Sequence, residues 1–324
     1  MVKSILQEKR KNLDGVEYPL FNSKQRDIDI AQLETIFSKY LEAIKIMCPN
    51  LTETEINDNF KRTMKEISFI RIDEMDMHIP PIIFSTSEFI HHQMRGETEK
   101  EKFDKAEKII KRNPLFARYF INKTNMNATT RAFDCKAGIG IFAPALKTSQ
   151  KKKSREEQLE GEKIFLHEFL HASSAYRETS NGDEIYKQGV RIYNERGVYD
   201  DFNEGLNEYF TVKIMKKMYP NDKIQCGYRD RVEMIKQMMS KLSKQERQEI
   251  FSLYISGQGK QIIENFKTKV NSNGKSIYDY FEYYQKNMVG LGGGLSPVNG
   301  KTLPLFGDAI QDCLDNSLTI PFFL

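Results

Sequence analysis

Apolar residues recur at intervals of three and four along much of the chain, which is the pattern of helices that bury one face. Residues 27–47 carry the first such stretch, which a proline ends. Thr52 with Glu55 matches the capping box that begins a helix, and Ser243 with Glu246 matches it again. Other stretches of helical period lie at about 99–113, 159–172, 185–196, 201–219, 228–241, 243–256, 258–271 and 275–287.

Strand patterns are fewer and lie mostly in the first half of the chain. Alternation predicts a strand at 67–72, and a β-branched run bounded by prolines predicts another at 80–86. Residues 131–145 read as a strand pair or one long strand, and Pro144 suits a sheet edge because proline donates no ladder hydrogen bond. The sequence therefore predicts an α+β, predominantly helical fold with a mixed N-terminal half and an all-helical C-terminal half.

Composition is that of a globular protein. The 324 residues are 39% hydrophobic and 29% charged, which is enough apolar material to exclude wholesale disorder. A net charge of +4 gives no reason to expect nucleic acid as a partner, and the basic run at 151–153 is interpreted as a solvated loop. The four cysteines lie far apart with no C-x-x-C pair, which argues against a cysteine zinc site or a disulfide framework.

The location of the protein is predicted from what the sequence lacks. The first fifteen residues have no apolar core of a secretory signal, and no stretch approaches the roughly 18 to 20 apolar residues of a membrane span. We therefore expect a cytoplasmic protein with no membrane partner. Export as an effector through a non-cleaved signal would leave the same pattern.

Residues 164–171 read IFLHEFLH, an H-E-x-x-H pattern within an apolar run. On a helix His167 and His171 lie about 40° apart on one face, so both imidazoles can reach one ion. Zinc accepts neutral imidazole nitrogen, and a catalytic site uses three protein ligands. Glu168 is expected to take a proton from the attacking water and pass it to the leaving nitrogen. A structural helix with two satisfied histidines would show the same pattern.

A third ligand separates these interpretations, and DFNEGLNEYF at 201–210 offers one. Glu204 and Glu208 are four apart and share a helix face, although paired glutamates are usually solvated. Gly205 costs a helix about 1 kcal/mol relative to alanine, and such a glycine often marks close approach of another element. Glu208 could accept the free N–H of a ligating histidine and so fix its tautomer.

H-E-x-x-H followed by N-E-G-x-x-E resembles the gluzincin metallopeptidases, the group of thermolysin, the zinc aminopeptidases and the lethal-factor-type toxins. The resemblance covers about residues 131–219 and implies a zincin-like catalytic core. It makes His167, His171 and Glu204 the zinc ligands, Glu168 the general base and Glu208 a carboxylate that supports a ligand.

Two departures from the family refine the expectation. The 32 residues between His171 and Glu204 imply an inserted helix and loop at 177–200. The aminopeptidase G-x-M-E-N signature is absent, which favours an endopeptidase over an exopeptidase. The resemblance also makes 137–143 the sheet edge on which an extended substrate lies. Gly138, Ile139 and Gly140 are its candidate substrate-binding residues, and an ordinary edge strand is the alternative.

The remaining candidates are less specific. Tyr199, five residues before Glu204, is the candidate to stabilise the oxyanion of the tetrahedral intermediate. His91 and His92 diverge by about 100° on a helix and make a poor chelate, so they are interpreted as solvent-exposed. His78 is the fifth histidine.

The predicted organisation has three parts: residues 1–125 of unassigned role, a catalytic core at 126–220 and a helical subdomain at 221–324. Two hypotheses follow. The first is a zinc-dependent endopeptidase acting on a peptide or protein. The second is a non-catalytic, mostly helical binding protein whose metal site is structural or vestigial, with a partner groove formed by the C-terminal helices.

Overall fold

The computed structural model describes residues 1–11, 30–72, 128–133, 136–142, 154–180, 183–190, 192–194, 197–199, 201–280, 288–291 and 294–297. These residues are mostly helical, as predicted. The helices are α1 (Val2–Lys11), α2 (Ile30–Met47), α3 (Glu53–Glu66), α4 (Arg155–Ser173), α5 (Asp201–Met218), α6 (Arg229–Ser240), α7 (Lys244–Ile255) and α8 (Gly259–Thr268), and residues 277–280 are also helical. The predicted strand at 80–86 and helix at 99–113, and also His78, His91 and His92, lie outside the described residues.

Local signals account for where these helices begin. Thr52 Oγ1 accepts the Glu55 N–H at 3.2 Å while Glu55 accepts the Thr52 N–H at 2.7 Å, and Ser243 and Glu246 repeat the exchange. Both predicted capping boxes are therefore confirmed. Helix α1 was not predicted, because its mean hydropathy is low and charges interrupt its apolar positions.

Three strands form one small sheet in the order β1 (Ile67–Ile72), β3 (Lys136–Phe142), β2 (Ala128–Phe133). Strand β3 runs parallel to β1 and antiparallel to β2. The predicted strand at 67–72 and the strand-pair reading of 131–145 are confirmed.

The prediction that 137–143 is a sheet edge is wrong for residues 137–141, which pair with a strand on each side. Gly138, Ile139 and Gly140 each pair with a residue on both sides, opposite Ser68, Phe69 and Ile70 on β1 and opposite Arg131, Thr130 and Thr129 on β2. Their ladder positions are filled, so an extended substrate cannot add there. The error arose because pairing with a strand more than 60 residues earlier leaves no local signal.

The segment after α4 forms hairpins where a helix was predicted at 185–196 and an inserted helix and loop at 177–200. Strands β4 (Ala175–Ser180) and β5 (Asp183–Gln188) pair antiparallel, with Asn-Gly between them in the sequence, and β6 (Ile192–Asn194) pairs with β7 (Gly197–Tyr199). Asn-Gly between alternating residues is a strong hairpin signal, and here it overrides the helical period.

The C-terminal half is not all-helical, since β8 (Met288–Leu291) and β9 (Gly294–Pro297) also form an antiparallel pair. Helices α5 to α8 confirm the predictions at 201–219, 228–241, 243–256 and 258–271. Among the described residues, no helix has the length and apolar character needed to cross a membrane.

The chain divides into two compact units, residues 1–39 with 60–172 and residues 40–59 with 173–324. The first has an aromatic core in which Phe37 lies against Phe60, Phe165 and Phe169, with ring centroids 4.8 to 5.5 Å apart. The division at residues 125 and 220 stays a prediction.

The second unit has its own aromatic core. Phe210 of α5 packs against Phe251 and Tyr254 of α7, with ring centroids 4.6 and 5.4 Å apart. Ser252 Oγ donates to Asn50 Oδ1 at 2.8 Å and so joins α7 to the loop between α2 and α3. Helix α5 is therefore held from its buried face.

Candidate metal centre

Helix α4 carries the first half of the candidate site. Ser154 and Glu157 form a third capping box, with Glu157 accepting the Ser154 N–H at 2.7 Å and Ser154 Oγ accepting the Glu157 N–H at 3.2 Å. The helical period predicted at 159–172 is confirmed, because its apolar positions are buried: Leu159, Phe165, Leu166, Phe169, Leu170 and Ala172.

The aromatic residues of α4 fix the direction in which its histidines point. Phe165 and Phe169 each precede a histidine by two residues, which places them about 200° around the helix. Both rings pack on Phe37, so this face of the helix is held in the core. His167 and His171 consequently share the opposite side of α4.

The two imidazoles meet at their Nε2 atoms. His167 Nε2 and His171 Nε2 lie 3.2 Å apart, and the residues are only 6% and 4% exposed. Two ligands of a tetrahedral zinc ion, at roughly 2.0–2.1 Å from the metal, would be about 3.3 Å apart. The spacing therefore fits two ligands of one ion, and it also fits one neutral ring donating to the other.

Glu204 of α5 supplies the third ligand atom. The nitrogens of His167 and His171 and a Glu204 carboxylate oxygen all lie within 4.8 Å of one another. Glu204 is half-buried, whereas two glutamates four residues apart on a helix are usually both exposed to solvent. Two imidazoles and a carboxylate are a donor set that suits zinc and also other first-row transition metals. The residues fit a metal ion, and the ion's identity is a proposal below.

Close packing restrains the α5 backbone immediately after Glu204. Gly205 is buried, and a Cβ built on it would lie 2.9 Å from the backbone oxygen of Arg231 on α6. The sequence argument that this glycine marks close approach of another element is confirmed. The helical period of this stretch offers Leu206, Phe210, Ile214 and Met218 to the core. The first three are buried, and Met218 is half-buried.

Glu208 is almost fully buried, with 2% of its surface exposed. Its Oε1 accepts the Gly227 N–H at 2.6 Å, so it fixes the loop that leads into α6. A hydrogen bond from a ligating histidine to Glu208 stays a prediction.

A buried polar cluster beside Glu204 was not predicted. Asn203 and Asn207 flank Glu204 on α5, and the hydroxyl of Tyr254 lies between their side-chain oxygens. Asparagine competes with helical backbone bonding, so two of them four apart in a helix were the available signal. Their common partner Tyr254 lies about 50 residues later, and no local sequence signal connects it to them.

The other candidates have less structural definition. Glu168 is half-buried, next to His167 and able to meet solvent. Tyr199 ends β7, where it pairs with Ile192, and its role with the oxyanion stays a prediction. Gly138, Ile139 and Gly140 lie inside the sheet as described above.

No family model, curated protein or solved structure matches the chain.

Proposed function

We propose that the chain is a zinc-dependent endopeptidase with a gluzincin-type site. The observation that carries this proposal is the group of His167, His171 and Glu204, whose ligand atoms lie within 4.8 Å of one another. A zinc ion bound there would supply a Lewis acid that acidifies water and polarises a carbonyl oxygen. Three protein ligands leave a coordination position free, as catalytic zinc sites do.

The residues of the chain have separate tasks in this proposal. The imidazoles bind in their neutral form, through the Nε2 atoms that already face each other. Glu168 takes a proton from water as the water oxygen bonds to the peptide carbonyl carbon. It then gives that proton to the amide nitrogen as the C–N bond breaks, which leaves a carboxylic acid and an amine.

The test compares zinc content and cleavage of fluorescein-labelled casein for the wild type and Glu168→Gln. The variant should bind one zinc per chain, as the wild type does, and lose cleavage by about 10²- to 10⁴-fold, the usual contribution of a general base. Glu156→Gln is the matched control, because Glu156 is an exposed carboxylate about three turns earlier on α4. It should cleave at the wild-type rate.

Each other outcome is informative. Equal cleavage by wild type and Glu168→Gln would contradict the mechanism. A wild type that binds one zinc per chain without cleaving denatured proteins would favour the binding-protein alternative. Internal fragments from a peptide blocked at both ends would support an endopeptidase, and failure to cleave it while unblocked peptides are trimmed would support an exopeptidase.

A further inference from the structure

We propose that Tyr254 is a positioning residue for Glu204, acting through the buried side chains of Asn203 and Asn207. This inference rests on the metal-binding role proposed for Glu204. In this role Tyr254 packs on Phe210 in the core of the second unit and also supports the metal site.

The geometry at α5 supports a rotational restraint. Asn203 and Asn207 lie about 40° apart on one face of the helix. Tyr254 Oη lies 3.0 Å from Asn207 Oδ1 and 3.3 Å from Asn203 Oδ1, so its single proton serves one oxygen or is shared by both. All three residues are fully buried. A buried polar group costs free energy unless it is hydrogen-bonded, so the arrangement favours one orientation of α5.

A second restraint reaches Asn203 from the segment that follows the histidine helix. Gly189 N–H donates to the Ser174 carbonyl at 3.0 Å, immediately after the end of α4. Val190 N–H donates to Asn203 Oδ1 at 3.0 Å. Consecutive backbone groups therefore join the residue after α4 to the residue before Glu204.

The size of the effect follows from helix dimensions. Side-chain atoms lie about 5–6 Å from a helix axis, so a rotation of about 20° moves a carboxylate by roughly 2 Å. Metal–ligand distances in working sites stay within about 0.2 Å of their ideal values. Hydrogen bonds from Tyr254 and Val190 weaken when their angles change, so they add a directional restraint to the close packing of α5 at Gly205.

Tyr254→Phe tests this restraint while keeping the ring that packs on Phe210. Zinc affinity is measured by chelator competition, and thermal stability is measured without metal. We expect zinc binding to weaken by about 10- to 100-fold, the range for residues that support metal ligands. Tyr280→Phe is the matched control, because its hydroxyl also bonds an asparagine, accepting from Asn271 Nδ2 at 2.6 Å. It should keep wild-type zinc affinity.

A double-mutant cycle separates positioning from general loss of stability. In a Glu204→Gln background, Tyr254→Phe should weaken zinc binding little further, since the carboxylate it positions is already gone. Asn207→Ala provides a second variant if Tyr254→Phe does not fold, and it should show the same dependence on Glu204.

The inference is overturned if Tyr254→Phe and Tyr280→Phe bind zinc equally well, or if Tyr254→Phe weakens binding as much without Glu204 as with it. A wild type that binds no zinc would overturn the proposed function itself, and the positioning role with it. These results are distinguishable because the wild type is measured first.

Discussion

Gly189 shows how single positions limit what the chain tolerates. Its φ of 55° lies in the left-handed region, and a Cβ built there would overlap Asn203 Oδ1 and lie 2.8 Å from Tyr254 Cε2. Alanine here must therefore adopt a strained backbone and also displace the amide that accepts from Val190.

We expect Gly189→Ala to lower the free energy of unfolding by about 2–4 kcal/mol, the sum of left-handed strain and a disrupted buried hydrogen bond. Gly274→Ala is the matched control, because Gly274 has a φ of 70° with nothing within 4 Å of a built Cβ. It should lose only the strain, about 1–2 kcal/mol. If denaturant unfolding shows that Gly189→Ala and Gly274→Ala lose the same free energy of unfolding, the packing described at Gly189 is contradicted.

Cys48 gives a prediction about pH. Burial raises the pKa of its thiol from 9.0 to about 12, and the nearby Glu249 carboxylate adds to the rise. Between these values the unfolded thiol has lost its proton while the folded one keeps it, so stability falls as pH rises through this window.

Cys48→Ala should remove the pH-dependent contribution of this thiol to the free energy of unfolding, which changes by at most about 1.4 kcal/mol per pH unit. We therefore expect the advantage of wild type over Cys48→Ala in free energy of unfolding to shrink between pH 8 and pH 10.5. A difference that stays constant over that range would show that the thiol is not protected from ionisation.

At the scale of elements, helices were predicted well because their signals are local. Capping boxes, apolar stripes and terminating prolines are read within a dozen residues. They placed α2, α5, α6, α7 and α8 close to their observed bounds and marked the start of α3. The sheet was harder, since β3 pairs with a strand more than 60 residues away. The sequence therefore predicted the strand β3 but not its position in the middle of the sheet.

The contact between α5 and α6 gives a prediction at this scale. Gly205→Ala improves helix propensity by about 1 kcal/mol, but its Cβ would lie 2.9 Å from the Arg231 backbone oxygen, which cannot move without shifting α6. We expect a net loss of about 1–3 kcal/mol in free energy of unfolding.

Lys216→Ala is the control for Gly205→Ala, because it introduces alanine at an exposed position near the end of the same helix. It should change stability by no more than about 0.5 kcal/mol. A stabilised Gly205→Ala variant would show that the two helices do not approach as closely as described.

For the whole molecule, the three residues of the candidate metal group were found from sequence because the candidate residues come in pairs spaced by about one helical turn. His167 with His171 and Glu204 with Glu208 repeat the four-residue interval, and Gly205 signalled close packing. The hydrogen bonds to Asn203 and Asn207 could not be found in this way, since their partners Tyr254 and Val190 lie in separate parts of the chain.

The proposed function depends on His167, His171 and Glu204 binding one metal ion together. The most direct measurement is a crystal structure of the zinc-loaded protein with anomalous data at the zinc edge. We expect one peak at about 2.0–2.2 Å from His167 Nε2, His171 Nε2 and a Glu204 carboxylate oxygen, with the fourth position free of protein. A peak that Glu204 does not touch, or that a fourth side chain closes, would contradict it.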